Sequence, residues 1–205
     1  MIQTEQDRKG TGAKYTIGHE ERSVGMMRDN LSAKAFAPVQ IQDCTHLIKC
    51  TNLDLDIRKI PFRSREIETL GKIVGSADLL AQIADRHYLE KLILLFKEFE
   101  EAGIPGFDSE EELLRKTEGF YEYVARKRLT EDFDNIAAHM RWHFTARWGI
   151  DRDLYEESIE NNIHYLKTIF CDSQKSDDGR FYRYLKRGGI LDDGQYCTGN
   201  DRKKE

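Results

Sequence analysis

The sequence predicts an all-α protein built as a helical bundle, and two observations carry that reading. From Glu66 to Gly103, Leu70, Ile73, Val74, Ala77, Leu80, Ala81, Ala84, Tyr88, Leu92, Leu95, Phe96 and Phe99 recur at three- and four-residue steps. That spacing makes one wide apolar face on a long helix or a helix pair, which other helices must cover. Second, no stretch of the chain builds a strand ladder of alternating residues bounded by turns.

Taken in order, residues 1 to 18 are polar, carry Gly10, Gly12 and Gly18, and read as an irregular loop exposing Lys9 and Lys14. The first helix starts at about His19. Val24, Met27 and Leu31 fall at helical spacing, and Glu20 and Glu21 occupy the first turn, where the helix dipole favours acidic groups. Pro38 suits the first turn of the second helix, whose expected buried stripe is Ile41, Cys44, Thr45, Ile48 and Thr51. His46 lies opposite that stripe and is expected in solvent. Residues 52 to 64, with Pro61 and alternating Leu53, Leu55 and Ile57, read as an extended connection.

The central element follows and stops at the breaker cluster Gly103, Ile104, Pro105 and Gly106. Ser109 and Glu112 form a capping box, and Leu113, Leu114, Thr117, Phe120, Tyr121 and Val124 continue one face to about Arg128. A further helix is expected from about Glu131 to Trp148, with Phe133, Ile136, Ala137, Met140, Phe144 and Trp148 inward and Gly149 at its end. Asp151 is the expected cap of the last long helix, whose stripe is Leu154, Tyr155, Ile159, Ile163, Leu166 and Phe170. From about Asp172 glycines mix with charge, leaving a short RFYRYLKR helix and a frayed GNDRKKE tail.

Composition excludes several classes. A net charge of −5 and a pI near 5.8 give no basic field for nucleic acid. No apolar run approaches the roughly 20 residues of a membrane span, and the polar start MIQTEQDRKG is unlike a secretory signal. Cys44, Cys50, Cys171 and Cys197 are scattered without a CxxC pair, as free thiols in a reducing cytoplasm would be. The Gly-rich pieces lack a GxxxxGK[ST] or GxGxxG arrangement, so no phosphate-cradling loop is expected.

Candidate chemistry gathers on the central element. Asp78 sits beside the apolar stripe, and a carboxylate there needs a cation, a hydrogen bond or a metal; Gln82 and Asp85 extend one polar strip from it. Pairing with an arginine or lysine is the plainer role for Asp78, as surface helix entry is for His19 and ion pairing for Asp85 and Arg86. His139 and His143 have the i, i+4 spacing of a shared zinc, but their aromatic neighbours Trp142, Phe144 and Trp148 favour packing instead. Arg141, Arg147, Arg152 and the RFYRYLKR run offer phosphate contacts or a solvated face.

The combination of His19 and Glu20 with Ser23 one turn on, a second helix ending LIKCTN, and GSADLLAQIADR resembles the later part of the HD-domain metal-dependent phosphohydrolase superfamily, over about residues 15 to 90. The stretch from ADRHYLEKL through HFTARWGIDRDLY resembles the C-terminal helices of bacterial members. These are all-helical enzymes whose pattern is a histidine, a His-Asp doublet and a distant aspartate. Asp78, in its Ala-Asp-Leu triplet, matches the distant aspartate, and His19 the additional histidine that some members place near a second metal or a substrate phosphate. The resemblance implies a divalent metal (Mn, Mg, Ni or Fe) at Asp78 and His19, a small phosphoester or nucleotide as substrate, and metal-activated water attacking phosphorus. It assigns no catalytic residue.

The chain departs from that pattern in having no His-Asp doublet and no histidine before His19. The expectation is a start just downstream of the doublet: a truncated HD-like core over 1–103, a helical extension over 104–171, a polar, partly disordered segment over 172–205, and a polypeptide inactive in this form. The alternative is a non-catalytic helical module that binds a partner or forms a homodimer, motivated by the missing ligands and by Phe120, Tyr121, Tyr123, Phe133, Trp142 and Trp148.

Overall fold

The computed structural model describes residues 13–173 and Leu185. Among them the chain is helical without a strand: α1 His19–Ala33, α2 Pro38–Lys49, α3 Arg65–Ile83, α4 Tyr88–Ala102, α5 Glu110–Phe120, α6 Met140–Trp148 and α7 Leu154–Ser173. The all-α bundle is therefore the architecture, and the central element is a helix pair, α3 and α4. The RFYRYLKR helix apart from Leu185, the GNDRKKE tail and the side chains of Lys9 and Lys14 lie outside the described residues. Among the described residues no helix is long and apolar enough to cross a membrane.

The start of α3 is fixed by Ser64, whose hydroxyl accepts from the Ile67 amide at 3.4 Å. Its buried face is not the expected one. Gly71, Gly75, Ser76, Leu79, Leu80 and Ile83 face inward, while Leu70, Ile73, Val74, Ala77 and Ala81 are exposed. The reason is close approach. A Cβ at Gly71 would stand 2.7 Å from Cys50 Sγ, and one at Gly75 would stand 2.4 Å from Phe133 Cζ. Small residues four apart let the end of α2 and Phe133 sit against the α3 backbone, and bulkier neighbours are turned outward. On the same face the Lys72 ammonium is held at 2.7 Å by both Glu68 and Asp134.

In α2 the expected stripe is buried or half-buried, with Thr45 2% exposed, but the buried face is wider than expected. His46, expected in solvent, is 5% exposed and stands edge-on to Phe62, with ring centroids 6.0 Å apart. Asp43 is buried beside it, and its carboxylate takes a forked contact from Arg63, at 2.7 Å to the closer Nη2. The connection between α2 and α3 is a turn rather than an extended run: Asp56 caps a 3₁₀ turn, Ile57–Lys59, whose Ile57 is buried.

Between α3 and α4 the chain turns at Asp85, whose carboxylate accepts from the His87 amide at 2.8 Å. Two carbonyls at the end of α3 and in the turn after it are met from α7. Buried Asn162 donates to Ile83 O at 3.0 Å and to Asp85 O at 2.8 Å. Gly103 ends α4 at φ +65°, the left-handed conformation that favours glycine. Ser109 then caps α5, accepting from the Glu112 amide at 3.1 Å, while Glu112 reaches back to the Asp108 amide at 2.6 Å.

After α5 the helix continues through two π-helical stretches, Tyr121–Ala125 and Arg128–Asp132. Their cause is legible in the spacing of inward residues. Thr117, Tyr121, Ala125, Leu129 and Phe133 recur every fourth residue, and all are buried or half-buried. In an α-helix each fourth residue drifts by about 40°, so four such steps would carry Phe133 off the core face. The wider i→i+5 turn holds them in line. Val124, expected on this face, is exposed.

The expected helix from Glu131 to Trp148 is broken. Asp134 and Asn135 adopt positive φ (52° and 55°), a 3₁₀ turn covers Ile136–His139, and only α6 follows. Trp148, expected inward, is 53% exposed, with its ring stacked on Phe144 at 5.6 Å. The cap of α7 is Asp153, accepting from the amides of Tyr155 at 2.9 Å and Glu156 at 3.2 Å. Asp151 instead takes a forked contact from Arg141, at 2.7 Å on each oxygen.

Two apolar clusters result. One gathers Cys50, Leu80, Ile83, Leu129, Phe133 and Ile159; the other gathers Leu89, Ile93, Leu114, Leu166, Ile169 and Leu185. Tyr88 packs against both.

Candidate functional site

Along the seam that Tyr88 marks, α3, α4 and α5, with Cys50, Thr51 and Leu53 after α2 and with Phe133, line a cavity of about 700 Å³. Its walls are mostly aliphatic and aromatic, including Leu79, Ile83, Leu95, Phe99, Leu113 and Phe120. Asp78, Ala81 and Gln82 are lining residues that are also exposed, so this stretch of α3 forms the open edge.

Asp78 thus stands at the mouth of the cavity. Its carboxylate accepts a hydrogen bond from Gln82 Nε2 at 3.2 Å, one helical turn on. Burial of the carboxyl against the surrounding protein raises its pKa above the ordinary aspartate value, and the charge of His19 acts in the opposite direction, as does the Gln82 hydrogen bond. The fold therefore brings the two candidate ligands within electrostatic reach, although the loop, α1 and α2 separate them in sequence.

The position of His19 follows from the turn before α1. Gly18 at φ +68° lets the chain reverse into the helix. His19 Nδ1 lies 2.9 Å from Thr16 O. A carbonyl can only accept, so Nδ1 is the donor, and Nε2 is the ring nitrogen left over for another partner. Thr16 in turn donates to Glu98 Oε2 at 3.2 Å, tying the turn to α4 and to the cavity lining.

The expected polar strip divides. Asp78 and Gln82 stay together, but Asp85 is drawn to the start of α4, where Lys91 holds it and His87 Nδ1 lies 3.5 Å away. The hydrogen bond from Lys91 is the main reason that its carboxyl sits below the usual range. The expected pairing of Asp85 with Arg86 gives way to Lys91, and Arg86 borders a small hollow with Ser158 and Asn162.

His139 and His143 are both exposed, and the His143 ring stands edge-on to Trp148 at 5.2 Å and to Phe144 at 5.6 Å, which is aromatic packing. Arg152 pairs with Glu157 at 3.2 Å. Among the described residues no group of three or more histidines, cysteines, aspartates or glutamates is placed to hold a metal ion. Asp78 and His19 are within electrostatic reach of each other and belong to no such group.

Sequence reasoning missed much of the cavity. Lys91, Glu98 and Lys116 line it as well, yet they come from two helices and no local pattern joins them. Tyr88 was legible only as a member of the apolar stripe; its phenol is pushed up to about 12 by burial. The buried Cys50 thiol is likewise pushed up to about 11, which makes it a poor nucleophile.

Residues 2–139 match the family described as Npun_R2479-like, a span that runs from before α1 to the 3₁₀ turn ahead of α6. No curated protein and no solved structure matches the chain.

Proposed function

This chain belongs to the Npun_R2479-like family, and for it we propose a metal-dependent phosphohydrolase activity of the HD type, acting on a small phosphoester. The observation that supports this reading is Asp78 at the mouth of a cavity, within electrostatic reach of His19, whose Nδ1 is tied to Thr16 O. These are the residues that would hold a divalent cation, Mn, Mg, Ni or Fe. Such an ion lowers the pKa of bound water and polarises a phosphoryl oxygen.

The chain's own groups have separate tasks. Thr16 O fixes the His19 ring, and the Gln82 amide orients Asp78. Two protein ligands would make a weak hold and leave the other positions of a divalent cation to water and substrate oxygens. A cytoplasmic location accompanies this reading, supported by the free thiols Cys44, Cys50 and Cys171.

The test combines elemental analysis with turnover of p-nitrophenyl phosphate and nucleoside monophosphates in millimolar Mn, Mg, Ni or Fe. Metal-dependent turnover lost in Asp78→Ala and weakened in His19→Ala is expected. Turnover that Asp78→Ala leaves untouched would overturn the reading.

A second reading, a non-catalytic helical module that self-associates as a homodimer, is favoured by Tyr123 and Trp142, which are 80% and 73% exposed. Light scattering across a hundredfold range of concentration decides it: a particle that stays monomeric throughout removes it.

A further inference from the structure

The charged and amide side chains lining the cavity are already engaged. Gln82 donates to Asp78 at 3.2 Å, and Glu98 accepts from Thr16 at 3.2 Å. Lys116 pairs with Glu112 at 2.7 Å and lies over the Phe107 ring, while Lys91 is held by Asp85. Their stems add to the wall and their heads are occupied.

A nucleobase or a sugar entering such a space would exchange water for few partners, and each polar atom left unpaired costs binding. A hydrocarbon chain loses nothing of that kind and gains with every methylene removed from water. About 700 Å³ lies in the range that encloses a ligand of drug size. The charged group of the lining at the open edge is Asp78, on the exposed side of α3.

We propose that the cavity holds the apolar tail of an alkyl or prenyl phosphomonoester, with the head group beside Asp78. The tail's place rests on the cavity alone; the head group's place rests on the phosphohydrolase reading. Nucleotides are then poor ligands, and chain length determines affinity.

The experiment is calorimetric titration of the full chain, in chelator, with octyl, decyl and dodecyl phosphate below their micelle concentrations, and with inorganic phosphate and adenosine monophosphate. Each added pair of methylenes is expected to tighten binding about fifteenfold, with a negative heat-capacity change. Inorganic phosphate and adenosine monophosphate are expected to give no saturable heat. Ala81→Trp, which sets an indole across the open edge, and Leu95→Gln, which puts an amide into the wall, are each expected to weaken dodecyl phosphate at least tenfold. Having two variants guards against one that fails to fold, as judged by helical circular dichroism.

Affinity independent of chain length, adenosine monophosphate binding as well as dodecyl phosphate, or wild-type affinity in both folded variants overturns the proposal. Using chelator separates this test from the preceding one. Loss of the chain-length effect with Asp78-dependent turnover intact removes the tail and leaves the phosphohydrolase, and the opposite pattern does the reverse.

Discussion

Gly75 stands in direct apposition to Phe133: a Cβ on it would lie 2.4 Å from the ring's Cζ and 2.8 Å from Cys50 O. One of these neighbours is backbone and cannot swing aside. Gly75→Ala should therefore destabilise the fold by about 1–3 kcal/mol through overpacking, despite the roughly 1 kcal/mol that alanine gains in a helix interior. Gly71→Ala meets side chains alone, Cys50 Sγ at 2.7 Å and Phe62 at 3.1 Å, and should cost less. Urea unfolding of both variants checks the order; a Gly75→Ala midpoint at or above wild type would show that the helix does not pack this closely.

Asn162 ties α7 to the turn after α3. Asn162→Leu keeps the volume and leaves Ile83 O without its donor, while Asp85 O keeps the Tyr88 amide at 3.0 Å, an expected loss of about 1–3 kcal/mol. The exposed neighbour Asn161 serves as control, and Asn161→Leu should fall within about 0.5 kcal/mol of wild type. Equal stabilities for the two variants would contradict the capping role.

Arg128 is buried in the second π-helical stretch. Its guanidinium donates to Asn52 O at 2.8 Å and Leu55 O at 2.9 Å, meets Asp132 at 2.9 Å and lies over the Phe133 ring. Arg128→Met should cost about 2–3 kcal/mol, because two loop carbonyls lose their donor. Faster hydrogen exchange in residues 52–56 of the variant is the accompanying sign, and an unchanged loop would count against it.

The raised pKa of Asp78 has a definite sign. The folded protein binds that proton more tightly than the unfolded chain, so the stability it contributes is full below the unfolded value of about 3.9 and falls as pH rises through the folded value. Asp78→Asn should remove this slope, gaining on wild type as pH rises from 4 to 7. Millimolar Mg or Mn should narrow the gap again, since a bound cation favours the carboxylate. Thermal unfolding across the pH range tests both statements, and parallel profiles for the two proteins would sink them.

Helix ends were the most legible part of the sequence. Pro38, Ser109, Gly103 and Gly149 mark their boundaries where they were read, because a cap or a left-handed turn is a local requirement. Faces were less legible. In α3 the large residues Leu70, Ile73 and Val74 drew the apolar stripe, yet Gly71, Gly75 and Ser76 face inward. Hydropathy rewards bulk, whereas close helix packing rewards its absence. A pair of glycines four apart was the available signal. His46 and the displaced cap at Asp153 were lost for a related reason: each depends on a contact, with Phe62 and with the first amides of α7, that a single helix does not display. As for the site, Asp78 was singled out by its place beside an apolar stripe. Its companionship with His19 came from the family resemblance, and the cavity beside Asp78 from helices that no local spacing unites.

The two π-helical stretches set the phase of everything that follows them. Phe133 reaches the notch at Gly75 because the intervening helix is paid out four residues at a time from Thr117. Remove one residue anywhere between, and Phe133 arrives about 100° late. The notch then faces a different side chain, and the clearance left by a missing Cβ becomes a void. This segment is thus graduated like a screw thread against a fixed stop, and it tolerates exchanges of side chain far more readily than a change in length.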